Sequence, residues 1–234
     1  MKRRNFSSAC LAVPTGLVLL ATQHAYALSL GDLSTGDAVS GVRTALEKGA
    51  TVAVGLLGRA DGFLGNPRVR IPLPGYLEEG AKVLRMMGQG GRIDELVTAM
   101  NRAAEQAVPA SRDLLVGAVR SMSVADAKGI LTGGETSVTQ FFAGKTRTSL
   151  TERFLPLVTT ATARVQLAEK YNQIAGKAAG FGLVKKDDAN IQRYVTGKSL
   201  DGLYLVIGDE ERKIRQDPVA SGSAILQKVF GALR

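Results

Sequence analysis

Residues 93–107 read IDELVTAMNRAAEQA. Ile93, Leu96, Val97, Met100, Ala103, Ala104 and Ala107 recur at steps of three and four, the repeat of one face of an α-helix. The positions between them include Asp94, Glu95, Thr98, Arg102 and Gln106, a polar complement to that face. Similar spacing recurs along the chain, whereas strand-type alternation is scarce. The pattern predicts an all-α, single helical domain of about seven to nine helices.

Local punctuation divides the rest. Ser34 or Thr35 caps a first helix within 34–57. Pro109 fits the first turn of the helix after 93–107. Ser123 and Asp126 have the spacing of a capping box for a short helix ending at Gly133-Gly134. Ser149 and Glu152 suggest a second box, opening a long helix toward Gly176 that Pro156 bends or restarts. Asp187 or Asp188 begins another helix, and Asp217-Pro218 opens the last.

One stretch departs from this pattern. Residues 58–75 read GRADGFLGNPRVRIPLPG, with prolines at 67, 72 and 74. Helix is excluded, and the residue before each proline is driven to extended backbone. A Pro-rich strap is expected near 58–75, with room for a short two-stranded ribbon inside 62–74. A period of two puts Arg68 and Arg70 on one side and Val69 and Ile71 on the other. Long connections of this kind in compact domains are often functional. Asn66, Arg68 and Arg70 are therefore candidate ligand-binding residues; the plainer reading is a strap covering a helix groove.

The start of the 234-residue chain reads as an export signal over 1–27. Lys2, Arg3 and Arg4 form its basic end, a weakly apolar run spans Ala9 to Thr22, and Ala25-Tyr26-Ala27 is a small-residue cleavage site. Residues 28–234 then form the mature domain. Arg3-Arg4-Asn5-Phe6 resembles a twin-arginine pattern, so the export route stays open, but either route leads to the periplasm. The only cysteine, Cys10, and the only histidine, His24, leave with the signal. The mature chain then lacks the side chains for Ser-His-Asp or Cys-His catalysis, disulfides, or a zinc site of imidazole and thiolate. No cofactor is implied. Basic residues number 30 against 21 acids, a net charge of +9; removing Lys2, Arg3 and Arg4 leaves 27 against 21, or +6. The basic residues are scattered among acids, which argues against nucleic acid as a partner. No later apolar run is long enough to span a membrane.

The remaining chemistry rests on carboxylates, amides, arginines and tyrosines. Gly144-Lys145-Thr146 ends like a phosphate loop, but Thr139 stands where the first glycine belongs. The helical line Leu200, Leu203, Ile207 extends to Glu210, and Tyr204, Ile207 extends to Glu211. A carboxylate on an apolar line must be paired, protonated or beyond the burying surface. Glu210 and Glu211 are weak candidates for a general acid; a ladder of Asp209, Glu211 and the following Arg and Lys residues is the plainer account. Asn101 and Asn172 also fall on apolar lines, where each needs several hydrogen-bond partners. With Tyr171 they complete the candidate binding residues. Arg102 lies beside Thr98 and Glu105, which reads as a solvated face with modest pairing.

The segments GFLGNPRVRIPLPG, LVTAMNRAAEQAVP, ILTGG, FLPLV, YNQIAGKAAGFGLV, SLDGLYLVIGDEERKIRQDP and ILQKVFG occur in this order. Together they resemble the bacterial family called domain of unknown function 4197, from about Leu28 to Leu233. The resemblance implies a Gram-negative envelope protein, often secreted or lipid-anchored; this chain has no cysteine at its cleavage point. It brings no catalytic residue. Three functions fit the sequence. The first is a non-catalytic periplasmic module taking an amphipathic or anionic small molecule or lipid. The second is an envelope factor that binds a partner protein, and the third a carboxylate-dependent hydrolase or lyase.

Overall fold

The computed structural model describes residues 34–134, 136–180, 182 and 189–231. The segment read as an export signal, and Asp187 and Asp188 as a helix start, lie outside them. The α-helices are α1 (Thr35–Leu57), α2 (Glu78–Met86), α3 (Gly90–Ala107), α4 (Arg112–Arg120), α5 (Val124–Thr132), α6 (Ser137–Thr162), α7 (Gln166–Gly180), α8 (Ile191–Gln216) and α9 (Ala224–Gly231). Single 3-10 turns precede α2 and α4. No strand occurs among the described residues, so the ribbon inside 62–74 does not form.

Helix α8 is the centre. It packs against α6 on one side and α1 on the other, and α3 closes the same core. Leu200, Leu203, Tyr204 and Ile207 of α8 are fully buried with Leu46, Ala53 and Leu57 of α1 and Phe142, Leu150 and Phe154 of α6. The whole apolar face read over 93–107 is in this core, every member under a tenth exposed. Small residues set the spacing of α1. A Cβ on Gly41 would lie 2.5 Å from Val229 of α9, so only glycine admits that contact.

Most caps are local and follow the sequence. Ser34 accepts the Asp37 N–H at 3.0 Å and starts α1. Ser123 and Asp126 form the capping box of α5 in both directions. Pro109 sits in the first 3-10 turn before α4.

Two helix starts differ from expectation. The helix expected from Ser149 begins at Ser137, so Ser149 and Glu152 lie in mid-helix on the exposed side of α6. The pattern misled because α6 is rich in threonine, a poor helix former. Thr146, Thr151, Thr159, Thr160 and Thr162 each turn the hydroxyl back onto the carbonyl four residues earlier, keeping it satisfied inside the helix. Pro156 lies within α6, which continues past it to Thr162; a new helix starts at Gln166. The last helix starts at Ala224, because Asp217 closes α8 and its carboxylate instead accepts the Ala220 N–H in the turn that follows.

Candidate functional site

Residues 58–75 are less extended than the prolines suggested. From 59 to 69 the chain folds into consecutive turns, with the Asn66 carbonyl accepting N–H groups of both Val69 and Arg70. Only 70–74 is free of turns, and it ends on Pro74 at φ −55° and ψ 135°. Glycines at 62 and 65 and the short polar residues Asp61 and Asn66 favour turns over a strand.

The segment is fastened to α3 by two buried polar side chains. Glu105, 4% exposed, accepts the N–H groups of Phe63 and Leu64 at 3.0 Å each. Its other oxygen accepts from Arg102 at 2.7 Å, and Arg102 also reaches Asp61 at 2.8 Å. Asp61 is in the left-handed region at φ 63°, which aspartate tolerates better than most residues. Arg102 thus links two elements, where a solvated face was expected. One helical turn earlier, Asn101 is fully buried and copies a strand partner. It accepts the Ile71 N–H at 2.8 Å and donates to the Ile71 carbonyl at 3.0 Å and to that of Val97 at 2.8 Å. Both polar ends of Asn101 are therefore spent on backbone.

With Ile71 pinned, the alternation of two takes effect. Val69, Ile71 and Leu73 are buried, while Arg68 and Arg70 are exposed. Arg68 meets Asp209 of α8 in a two-pronged contact at 2.5 and 3.2 Å. The Tyr194 hydroxyl donates to the Pro72 carbonyl at 3.2 Å. Gly202 lets α8 approach: a Cβ there would stand 2.9 Å from the Phe63 ring.

Between this strap, α6 and α8 lies an open groove of about 450 Å³. Arg68 and Arg70 line the strap side, Thr139 and Arg147 the α6 side, and Lys198, Asp201 and Leu205 the α8 side. Arg147 bridges to Asp201 at 2.6 Å and lies 5.4 Å from the centre of the Tyr204 ring. Tyr204 is fully buried; its hydroxyl shares a 2.9 Å hydrogen bond with Thr146, and burial pushes its pKa above the ordinary tyrosine value. Lys198 sits 5.8 Å from the Tyr194 ring. Among the described residues Arg70 makes no ion pair, and Lys198 has only that ring contact. Leu205, 38% exposed, supplies apolar surface. The groove can hold an anion against an apolar wall; its one carboxylate is engaged by Arg147, so it offers no free acid-base pair.

The other candidates lie elsewhere. Asn66 accepts the Arg68 N–H at 3.2 Å and borders a different hollow, beside Leu56 and Pro67. Asn172 joins α7 to the start of α8, accepting the Ile191 N–H and donating to Gln192, both at 2.8 Å. Tyr171 is buried on the same helix. Neither borders the strap groove. Glu210 pairs with Lys213 at 2.6 Å, and Glu211 with Arg215. Burial raises the Glu211 pKa above the ordinary glutamate value, against the opposing pull of Arg215 and Arg212. Arg147 and Lys198 were missed. Lys198 shares with Asp201 and Leu205 the face of α8 opposite the apolar line Leu200, Leu203, Ile207, and that spacing was its signal; Arg147 lies on α6, where no such spacing marks it. Among the described residues no three metal-ligating side chains gather.

The chain is thus a helical domain with a pinned Pro-rich strap and a cation-rimmed groove. The chain belongs to the family described as "Protein of unknown function (DUF4197)", whose model matches residues 32–231. No curated protein and no solved structure matches the chain.

Proposed function

We propose that this protein is a non-catalytic, periplasmic binding module whose strap groove takes an anionic, amphipathic ligand. The observation that carries the reading is the pair Arg70 and Lys198, which meet no carboxylate among the described residues and line one groove beside exposed Leu205. Cations left without counter-charge next to apolar surface suit a ligand with a charged head and an apolar body. The A-x-A site after a basic start supports export.

Native mass spectrometry of residues 28–234, purified from periplasm without detergent, tests this. The expected result is a discrete added mass that disappears in the Arg70→Ala/Lys198→Ala double variant. A bare protein mass for the wild type, or an adduct indifferent to both substitutions, overturns the reading. Arg68 is a poorer probe, because its loss would remove the two-pronged partner of Asp209, a residue only 8% exposed, and leave it, among the described residues, only the 3.3 Å contact with Arg212.

One observation favours a second reading, an interaction factor. Val83, Met86 and Met87 share the outer side of α2 at i, i+3 and i+4, exposed by 50, 79 and 66%. Cross-linking from Met86→Cys in intact cells would capture a specific partner if this stripe docks one.

A further inference from the structure

A second concave site lies across the molecule's α3–α7 seam, a hollow of about 280 Å³ bordered by Arg92, Glu95, Arg164, Gln166, Leu167 and Lys170. Three of these six side chains are cationic and one is acidic. Elsewhere the arginines mostly meet carboxylates: Arg68 with Asp209, Arg102 with Asp61 and Glu105, Arg147 with Asp201, and Arg215 with Glu211. Among the described residues Arg92, Arg164 and Lys170 make no ion pair, and Glu95 pairs with none of them although Arg92 is three residues away on the same helix. Unneutralised like charges around one hollow repel each other, and an anion seated among them removes that repulsion. The lining is polar apart from Leu167, so an apolar body would gain little there. Two features of the backbone match the same ligand. Arg92 is in the first turn of α3 and Gln166 opens α7, so the positive ends of two helix dipoles border this hollow, although the Arg92 N–H is itself spent on the Gln89 carbonyl at 3.2 Å.

We propose that this hollow is a phosphate-group site, separate from the strap groove, that takes a phosphate monoester or diphosphate by its oxygens. Arg92 and Arg164 supply planar guanidinium forks suited to phosphate oxygens, and Lys170 supplies a point charge. The convergence of three unpaired cations carries the assignment; the helix starts add to it. The carboxylate of Glu95 opposes the bound anion and limits its affinity. The phosphate belongs either to a soluble compound or to a lipid head group, since both offer the same oxygens.

The test is a titration of ¹⁵N-labelled residues 28–234 with inorganic pyrophosphate at low salt, followed by backbone amide shifts. A saturable shift is expected at Arg92, Gln166 and Leu167, with Arg164→Ala weakening it about tenfold. Glu95→Gln should tighten it several-fold, a change that a purely structural role for these residues does not produce. The Arg70→Ala/Lys198→Ala variant should leave it unchanged, so failure of the strap-groove reading and failure of this one are told apart. A second arm uses vesicles of phosphatidylcholine with and without phosphatidic acid. Binding of pyrophosphate points to a soluble phosphate; binding only to the phosphatidic acid vesicles, lost in Arg164→Ala, points to a lipid head group. Absence of saturation in both arms, or saturation indifferent to Arg92→Ala and Arg164→Ala, overturns the proposal.

Discussion

Glu105 shows how much of the strap rests on one side chain. Its carboxylate is the acceptor for two strap N–H groups and a partner for Arg102. Glu105→Ala leaves those amides without an acceptor in a buried setting and is expected to lower unfolding free energy by roughly 3 kcal/mol, read as a lower urea midpoint. Thr196 makes the opposite case. It is 1% exposed and its hydroxyl has no hydrogen-bond partner among the described residues. Thr196→Val removes an unsatisfied polar atom and keeps the shape, so a gain of about 1 kcal/mol is expected; a loss of stability would show that the hydroxyl is bonded. Asn101 and Asn172 stood out in the sequence as polar residues on apolar lines. The donors to their amide oxygens did not, because both are backbone N–H groups, 30 and 19 residues away. Glu105 was within reach of the same argument, standing one helical turn beyond Asn101 on the same face.

At the scale of elements, what was legible was whatever is local. The α5 box depends on residues three apart, and the structure reproduces it. Its energetics are testable by pH. The Ser123 backbone and side chain, with Lys145 beside them, hold the Asp126 carboxyl below its ordinary value. A group with a depressed folded pKa adds stability above its unfolded value, about 3.9, and loses it as pH falls through the folded one. Asp126→Asn should therefore destabilise at pH 7 by roughly 1 kcal/mol and converge with the wild type toward pH 2. A stability gap independent of pH would mean that the loss is one of hydrogen bonding or shape and that the charge contributes nothing; no gap at pH 7 would mean that the amide caps as well as the carboxylate. The Ser149–Glu152 box had the same signature and formed no cap, since tertiary packing of Val138, Phe142 and Phe154 extends α6 through it. A cap motif marks where a helix is able to start; burial of the flanking residues decides whether it does.

At the scale of the whole molecule, assembly depends on contacts that no local pattern records. Arg215 reaches from α8 to the carbonyls of Ile130 and Leu131 at the end of α5, lies 5.4 Å from the Phe230 ring of α9, and pairs with Glu211. The groove is of the same kind: Arg70, Arg147 and Lys198 come from three elements, so their convergence requires the strap to be pinned first. Glu211 gives the global measurement. Burial outweighs the pull of Arg215 and Arg212 and raises its folded pKa, so the native state binds this proton more tightly than the unfolded chain. Such a group's favourable contribution is complete below the unfolded value, about 4.3, and is lost as pH rises through the raised folded value. The sign is opposite to that of Asp126. Glu211→Gln keeps the size and removes the titration. The stability of the wild type relative to this variant should fall as pH is raised from 4 toward 8, and level off once Glu211 is ionised in both states. A relative stability that instead climbs with pH would show that attraction to Arg215, rather than burial, governs the α5–α8–α9 junction.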